Sequence, residues 1–243
     1  MTAPITIEAG IDIEQGIKIG QHPAVPTLLV DLDAATYAGS GAWIDSIGSR
    51  SFTLYNSPSY SAVTGGGSFM FDPASSQWAE YSGSLGSLSS WSVEVWHYYT
   101  GTNSAGYPCI VTEQWPNGPS QINFTLGSVL GVGSPNLTAS FFNGAWRTTP
   151  SGYTLTANNW YQVVGTYDNM NLKLYVNGSM VTEAPQTTAA AAGGAGIRLM
   201  KRWDVIATEY WGGRLAKVQI WDGDINFEGV RASWLHNKAR FGL

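Results

Sequence analysis

The stretch Asn158–Gly178, NNWYQVVGTYDNMNLKLYVNG, constrains the fold more than any other part of the chain. In its first half Tyr161, Val163, Gly165 and Tyr167 alternate with Trp160, Gln162, Val164 and Thr166. In its second half Leu172, Leu174 and Val176 alternate with Lys173, Tyr175 and Asn177. A period of two marks half-buried β-strands. Between the halves, Asp168-Asn169-Met170-Asn171 is turn chemistry, because Asn and Asp tolerate left-handed dihedrals and bond their own backbone. Asn177-Gly178 marks a second tight turn. Two consecutive hairpins predict a meander inside a sandwich.

Short strand-like segments recur on both sides of that block. Leu28–Asp31, Ser51–Tyr55, Ser68–Asp72, Trp91–Tyr99, Ile110–Glu113, Gln121–Leu126, Leu137–Phe142 and Trp146–Thr149 precede it; Ile197–Met200 and Arg214–Trp221 follow. Many short strands without long helical stretches predict an all-β sandwich or jelly roll. Thr187–Gly196 is small and featureless, and reads as a loop. Near the C-terminal end, Asn226 can cap a helix, Glu228 suits its first turn, and Phe227, Val230, Trp234 and Leu235 make one apolar face. One short helix is predicted from about Phe227 to Asn237, laid against the sheets.

A chain of 243 residues can form one large β-domain or two small ones. Hydrophobic residues make up 44%, and 11 Trp with 12 Tyr supply bulky core material. Charged residues make up only 12% and the net charge is −5, which argues against nucleic acid and anionic membrane partners, both of which select basic surfaces. No apolar run reaches membrane-spanning length. Met1–Gln21 lacks signal-peptide anatomy, so synthesis in the cytoplasm is expected. A single Cys109 excludes an internal disulfide framework. The sequons at Asn123, Asn136 and Asn177 are read as the chance product of an Asn-, Ser- and Thr-rich chain.

The first twenty residues repeat: ITIEAG, IDIEQG, IKIG. Ile5, Ile7, Ile11, Ile13, Ile17 and Ile19 alternate within the units, and glycines between them permit bends. Ordering such an arm costs about 1–2 kcal/mol per residue, and an isolated hairpin is marginal in water. The arm therefore needs a partner: its own domain as an edge strand, or a neighbour as an attachment arm. His22-Pro23-Ala24-Val25-Pro26 ends the pattern as a linker. The expected division is an arm at 1–26 and a body at 27–243.

The body resembles the laminin-G-like, concanavalin A-like jelly rolls, especially those in structural proteins of tailed bacteriophages. Leu29-Val30-Asp31-Leu32-Asp33-Ala34 is similar to the family's opening strand, and Ala42–Gly48 to its W-x-D-x-x-G turn. Gly66–Asp72 is similar to its GGs-x-x-FD strand, and Trp91–Trp96 to its central strand. Trp160–Gly178 is the most diagnostic block, and Lys238-Ala239-Arg240-Phe241-Gly242-Leu243 resembles the K-x-R-F-G-L ending of phage members. The resemblance implies a two-sheet jelly roll in a virion component. Fold alone does not give function.

Concanavalin-like glucanases carry paired carboxylates along one strand. Here Glu94 has no partner at +2 or +5, so it is expected to face solvent or pair locally, and no catalytic role is expected. No G-x-S-x-G elbow is present, and His22, His97 and His236 lack metal spacing. Asp222–Asn226 opens like a calcium loop but carries Phe227 where Gly is needed and Ser233 where Glu is needed, so it reads as a turn and helix cap. Asp168, Asn169 and Asn171 could offer calcium oxygens at a hairpin tip, whereas Gln77 stands where many relatives have an acid; no cofactor is assigned. Trp43, Trp78, Trp91, Trp160, Trp211, Trp221 and Trp234 match bulky core positions of the family. Tyr107, Trp115, Trp146 and Trp203 lie in or near loops, where they could meet a sugar or a neighbouring subunit.

Two functions follow as expectations. The first is a non-enzymatic virion protein, a capsid decoration (cement) subunit whose arm docks on the major capsid protein or on copies of itself. The second is a tail- or surface-associated glycan-binding module that uses loop aromatics.

Overall fold

The computed structural model describes residues 25–113, 122–128, 136–150, 153–188, 195–202 and 208–243. The isoleucine repeat, Trp115 and Trp203 lie outside these residues. In chain order the strands are β1 (Leu28–Asp33), β2 (Trp43–Ile44), β3 (Ser51–Tyr55), β4 (Ser59–Ser61), β5 (Ser68–Phe71), β6 (Trp78–Tyr81), β7 (Trp91–Asn103), β8 (Cys109–Glu113), β9 (Ile122–Gly127), β10 (Asn136–Phe142), β11 (Trp146–Thr148), β12 (Tyr153–Thr154), β13 (Asn159–Tyr167), β14 (Asn171–Val176), β15 (Ser179–Pro185), β16 (Ile197–Leu199) and β17 (Trp211–Trp221). One α-helix, α1 (Asn226–Asn237), follows, with a turn of 3-10 helix at Lys238–Phe241.

The strands form two antiparallel sheets. The first has the order β15-β14-β13-β7-β17-β5-β4, with β1 also paired to β17. The second runs β11-β10-β9-β8-β16-β6-β3-β2, with β12 beside β10. The expected two-sheet sandwich with a short C-terminal helix is the fold observed, and none of its described helices is long and apolar enough to cross a membrane.

The diagnostic hairpin sits in the first sheet, where β13 pairs with β7 from Asn159 opposite Tyr99 to Tyr167 opposite Trp91. Tyr161, Val163, Tyr167, Leu172, Leu174 and Val176 enter the main core, as their alternation requires. At Gly165 the facing sheet leaves no room for a side chain. A Cβ there would stand 2.6 Å from Leu126 Cδ2 and 2.9 Å from Ala139 Cβ of the facing sheet. The Asn177-Gly178 turn has positive φ at both residues, 52° and 74°, the geometry of a two-residue hairpin loop. At the W-x-D-x-x-G turn, Asp45 is buried and accepts from the N–H groups of Asp31, Ile47 and Gly48 and from Arg50.

The outer face of the first sheet departs from the half-buried expectation. Trp96, Ala216 and Phe241 form a cluster there, with Trp160 and Trp234 packed against it; Val164, Tyr175 and Val230 form another. Phe241 stacks on Trp96 at 4.4 Å, and Trp234 stacks on the same ring at 5.7 Å. The helix apolar face is narrower than expected. Val230 is buried and Trp234 half-buried, but Phe227 and Leu235 are exposed. Asn226 performs its capping role, accepting from the N–H groups of Glu228 and Gly229.

Arg240 fastens this cover to the sheet. Its Nη1 and Nη2 donate to the two Asp33 carboxylate oxygens at 2.7 and 2.8 Å, and its Nε donates to the Gly65 carbonyl at 2.7 Å. Burial alone would raise the Asp33 pKa, but the Arg240 hydrogen bonds, the Ala35 N–H and the Arg240 charge outweigh it and hold the carboxyl below its usual 3.8.

Two outcomes follow. Gly165→Val should lower stability by about 1–3 kcal/mol through overpacking, read as a fall in melting temperature with the sheet spectrum retained. Arg240→Ala should cost about 1–3 kcal/mol at neutral pH. Because Asp33 has a depressed folded pKa, its contribution is present above 3.8 and lost as pH falls through the folded value. The gap between variant and wild type in chemical denaturation should therefore narrow in acid.

Candidate functional site

With α1 and the C-terminal turn lying over the centre of the first sheet's outer face, the outer face of the second sheet is the place to look for a site. One polar row crosses it in register: Thr53 opposite Glu80, Glu80 opposite Arg198, Arg198 opposite Thr112, Thr112 opposite Thr125, Thr125 opposite Ser140, and Ser140 opposite Thr148. Alternation puts Leu54, Ala79, Leu199, Val111, Leu126 and Ala139 behind this row, in or against the core. The middle of the row is shut, since Thr112, Thr125 and Ser140 are fully buried, with Thr112 and Thr125 hydroxyls 2.6 Å apart. Toward β3 and β6 the face opens, with Thr53 and Tyr55 exposed and Trp78 half-buried.

An aromatic and cationic group occupies the open end. Trp78 and Tyr55 rings stack at 4.0 Å and 7°. With Tyr55 parallel to one face of the indole, Lys201 Nζ lies over the other, 3.9 Å from the ring centroid, and 5.6 Å from the Tyr210 ring. The Arg198 guanidinium is 5.2 Å from Trp78, and its Nε donates to Glu80 Oε2 at 2.9 Å. Glu80 Oε1 accepts from the Ser82 hydroxyl, so both carboxylate oxygens are engaged. Lys201 is 8% exposed. Burial, reinforced by the neighbouring Arg198 charge and offset by Glu80, lowers its pKa below the ordinary value. Cations over indole faces, a planar aromatic step and adjacent hydroxyls form a surface suited to a polar ligand with one apolar face.

This group was missed in the sequence because Trp78 was assigned to the core. The structure corrects that assignment: Ala79 and Tyr81 turn inward, so Trp78 and Glu80 face outward. Trp43, Trp91 and Trp211 do belong to the core. Trp160 and Trp234 instead pack under or within the C-terminal cover, and Trp221 is half-buried. The alternation in Trp78-Ala79-Glu80-Tyr81 was the available signal.

The loop aromatics that are described lie elsewhere on the second sheet. Tyr107 is half-buried; its N–H donates to Glu209 Oε2 at 2.6 Å, and the Arg202 guanidinium stands 5.6 Å from its ring. Trp146 is half-buried and meets Phe142 edge-on at 5.4 Å. Both pack against a small cluster containing Cys109 and Ile122.

The hairpin-tip oxygens are used internally. Asp168 Oδ1 accepts from the N–H groups of Met170 and Asn171, and Oδ2 lies 2.6 Å from Lys173 Nζ. Asp224 also pairs with Lys173, at 3.3 Å. A cleft of about 370 Å³ lies beside them, lined in part by Pro26, Thr27, Asp168, Asp222 and Asp224, but an ammonium already stands where a cation would bind. Among the described residues no group of three or more His, Cys, Asp or Glu gathers to hold a metal. Gln77 is a clamp: its Oε1 accepts from the Asp72 N–H and its Nε2 donates to the Asn56 and Ser57 carbonyls.

Glu94 pairs locally with Trp96, one of the two expected arrangements, and does not face solvent. It lies on the outer face of the first sheet but is sealed beneath α1, accepting from Trp96 Nε1 at 2.7 Å and Ser233 Oγ at 2.6 Å. Burial raises its pKa despite these bonds. His97 is buried as well, and burial pushes its pKa down to about 3 despite a bond to the Gly212 carbonyl.

Comparison with known proteins agrees with this architecture. A sequence model of the concanavalin A-like lectin/glucanases superfamily matches residues 72–230. No curated protein matches the chain in sequence. Domain 4 of AbnA, a GH43 extracellular arabinanase from Geobacillus stearothermophilus solved in complex with arabinotriose, superposes with a TM-score of 0.68 at 14% identity, over 85% of this chain and 98% of that one. The binding domain of Paraclostridial Mosquitocidal Protein 1 gives 0.65 at 12%, over 85% of this chain and 51% of that one. A structure of botulinum neurotoxin type C, described as entering cells through two ganglioside molecules, gives 0.63 at 11%, over 86% and 51%. The chain thus spans about half the length of these toxin structures. The extent of the sequence match makes this chain a member of the concanavalin A-like lectin/glucanase superfamily.

Proposed function

We propose that the body is a carbohydrate-binding module without catalytic activity, carried on a bacteriophage particle. The observation that carries the binding half is the Tyr55–Trp78 stack on the open end of the second sheet, flanked by Arg198 and Lys201. A pyranose or furanose presents C–H groups on one face and hydroxyls at its rim. It fits a planar aromatic step bordered by Thr53, Glu80 and cationic donors. The arabinotriose complex of the arabinanase domain supports this reading as an example of the same fold holding a sugar. The non-catalytic half rests on Glu94, whose position beneath α1 keeps it from any glycosidic bond.

The attachment half is supported by the N-terminal repeat. The described body closes both sheets over its core with strands from Leu28 onward. On this reading Ile5, Ile7, Ile11, Ile13, Ile17 and Ile19 would add strands to a partner, either a capsid protein in a decoration role or another copy of the chain. A decoration subunit and a tail adhesin share this plan and differ in the protein that the arm meets.

On an array of neutral and acidic glycans the full chain should give saturable binding. Trp78→Ala should weaken it about tenfold or more, while Leu235→Ala, at an exposed position on α1, should not. An array without hits, or hits indifferent to Trp78→Ala, would overturn the binding half. Deleting residues 1–21 should leave a body with an unchanged melting temperature that no longer assembles with particles. Retained assembly would sink the attachment half.

A further inference from the structure

We infer that Lys201 is the anion-binding point of an acidic-saccharide site on the outer face of the second sheet. The inference rests on the carbohydrate reading and names its substrate class: a glycan bearing a carboxylate or a sulfate.

Lys201 is more than nine-tenths buried, yet among the described residues its ammonium has no hydrogen-bond or ion-pair partner. Glu80, the carboxylate at hand, is committed to Arg198 through Oε2 and to Ser82 through Oε1. The rings of Trp78 and Tyr210 offer π-faces, which attract a cation but accept none of its three N–H bonds in the manner of an oxygen. A buried charge is ordinarily paired or hydrogen-bonded, because its lost hydration must be replaced. Among the described residues Lys201 meets rings and not oxygens, and Arg198 adds a second positive charge nearby.

The position of this ammonium indicates the kind of anion. Lys201 Nζ and the exposed Tyr55 ring flank the same Trp78 indole, so an anion seated on Lys201 would leave the rest of its ligand along the indole edge. A free inorganic ion would use the ammonium and leave the aromatics idle. The chain carries a net charge of −5, so the cationic spot acts locally and not through a general attraction for polyanions.

The test has two arms on the full chain. In the first, the [13C]ε-lysine resonance of Lys201, assigned by its loss in Lys201→Met, is followed while sodium sulfate or methyl glucuronide is added. The expected result is a saturable shift and a rise in the Lys201 pKa, because a bound anion favours the charged form. In the second, matched acidic and neutral glycans are compared on the array. Wild type should prefer the acidic member by about tenfold or more, and Lys201→Met should erase that preference. The methionine keeps an apolar stem over Trp78 and removes an unpaired charge, so its melting temperature should be no lower than wild type. A purely structural lysine would show the reverse. No shift at Lys201, or an acidic preference that survives Lys201→Met, would overturn the inference while leaving carbohydrate binding in place. Anion-induced shifts without glycan binding would overturn the acidic-saccharide assignment together with the carbohydrate reading.

Discussion

The Arg240–Asp33 pair is the interaction on which the architecture depends. It anchors a segment, Asn226–Phe241, that covers strands otherwise open to water on one side. Phe241 and Trp234 then meet Trp96, and the outer residues of β13 and β14 become a second buried layer. The consequence reaches across the molecule. With the centre of the first sheet's outer face covered, the outer face of the second sheet is left the more open of the two at its β3–β6 side.

On that second sheet, burial and charge divide the surface. Hydroxyls bonded to one another close the centre of the row, while the β3–β6 side keeps its aromatic step open. Neutral hydroxyl pairs are stable when buried because each satisfies the other. The two cations near Trp78 are in a different position, because Glu80 neutralises only one of them. Among the described residues the face is therefore uneven, with hydroxyls paired at its centre and aromatic rings and cations gathered at its open end.

Strand periodicity was legible in the sequence wherever one face met the core. The β13–β14 hairpin and β3 follow from local pattern and turn chemistry, whereas the Asp45 turn was legible only through the family resemblance. Very short strands were not legible: β2, β4, β6 and β12 have too few residues to show a period. The site suffered most from this. Trp78 lies on the four-residue β6, and its resemblance to a core position outweighed an alternation of only two turns of the pleat. The burial of Glu94 was also hidden, because what covers it comes from a helix more than a hundred residues later. Tertiary cover of that kind leaves no local trace in the strand that it covers.

The C-terminal cover also imposes an order on biosynthesis. As the chain leaves the ribosome, β7, β13 and β14 emerge long before residues 226–241, and β1 must wait for β17 to complete its sheet. During that interval Trp96, Trp160 and Val164 lack their covering layer. The nascent body passes through a state with an aromatic sheet face exposed, and only arrival of the Arg240 segment ends it. Aromatic surface exposed in such a window is prone to association with other chains, even though most of it is buried in the finished body.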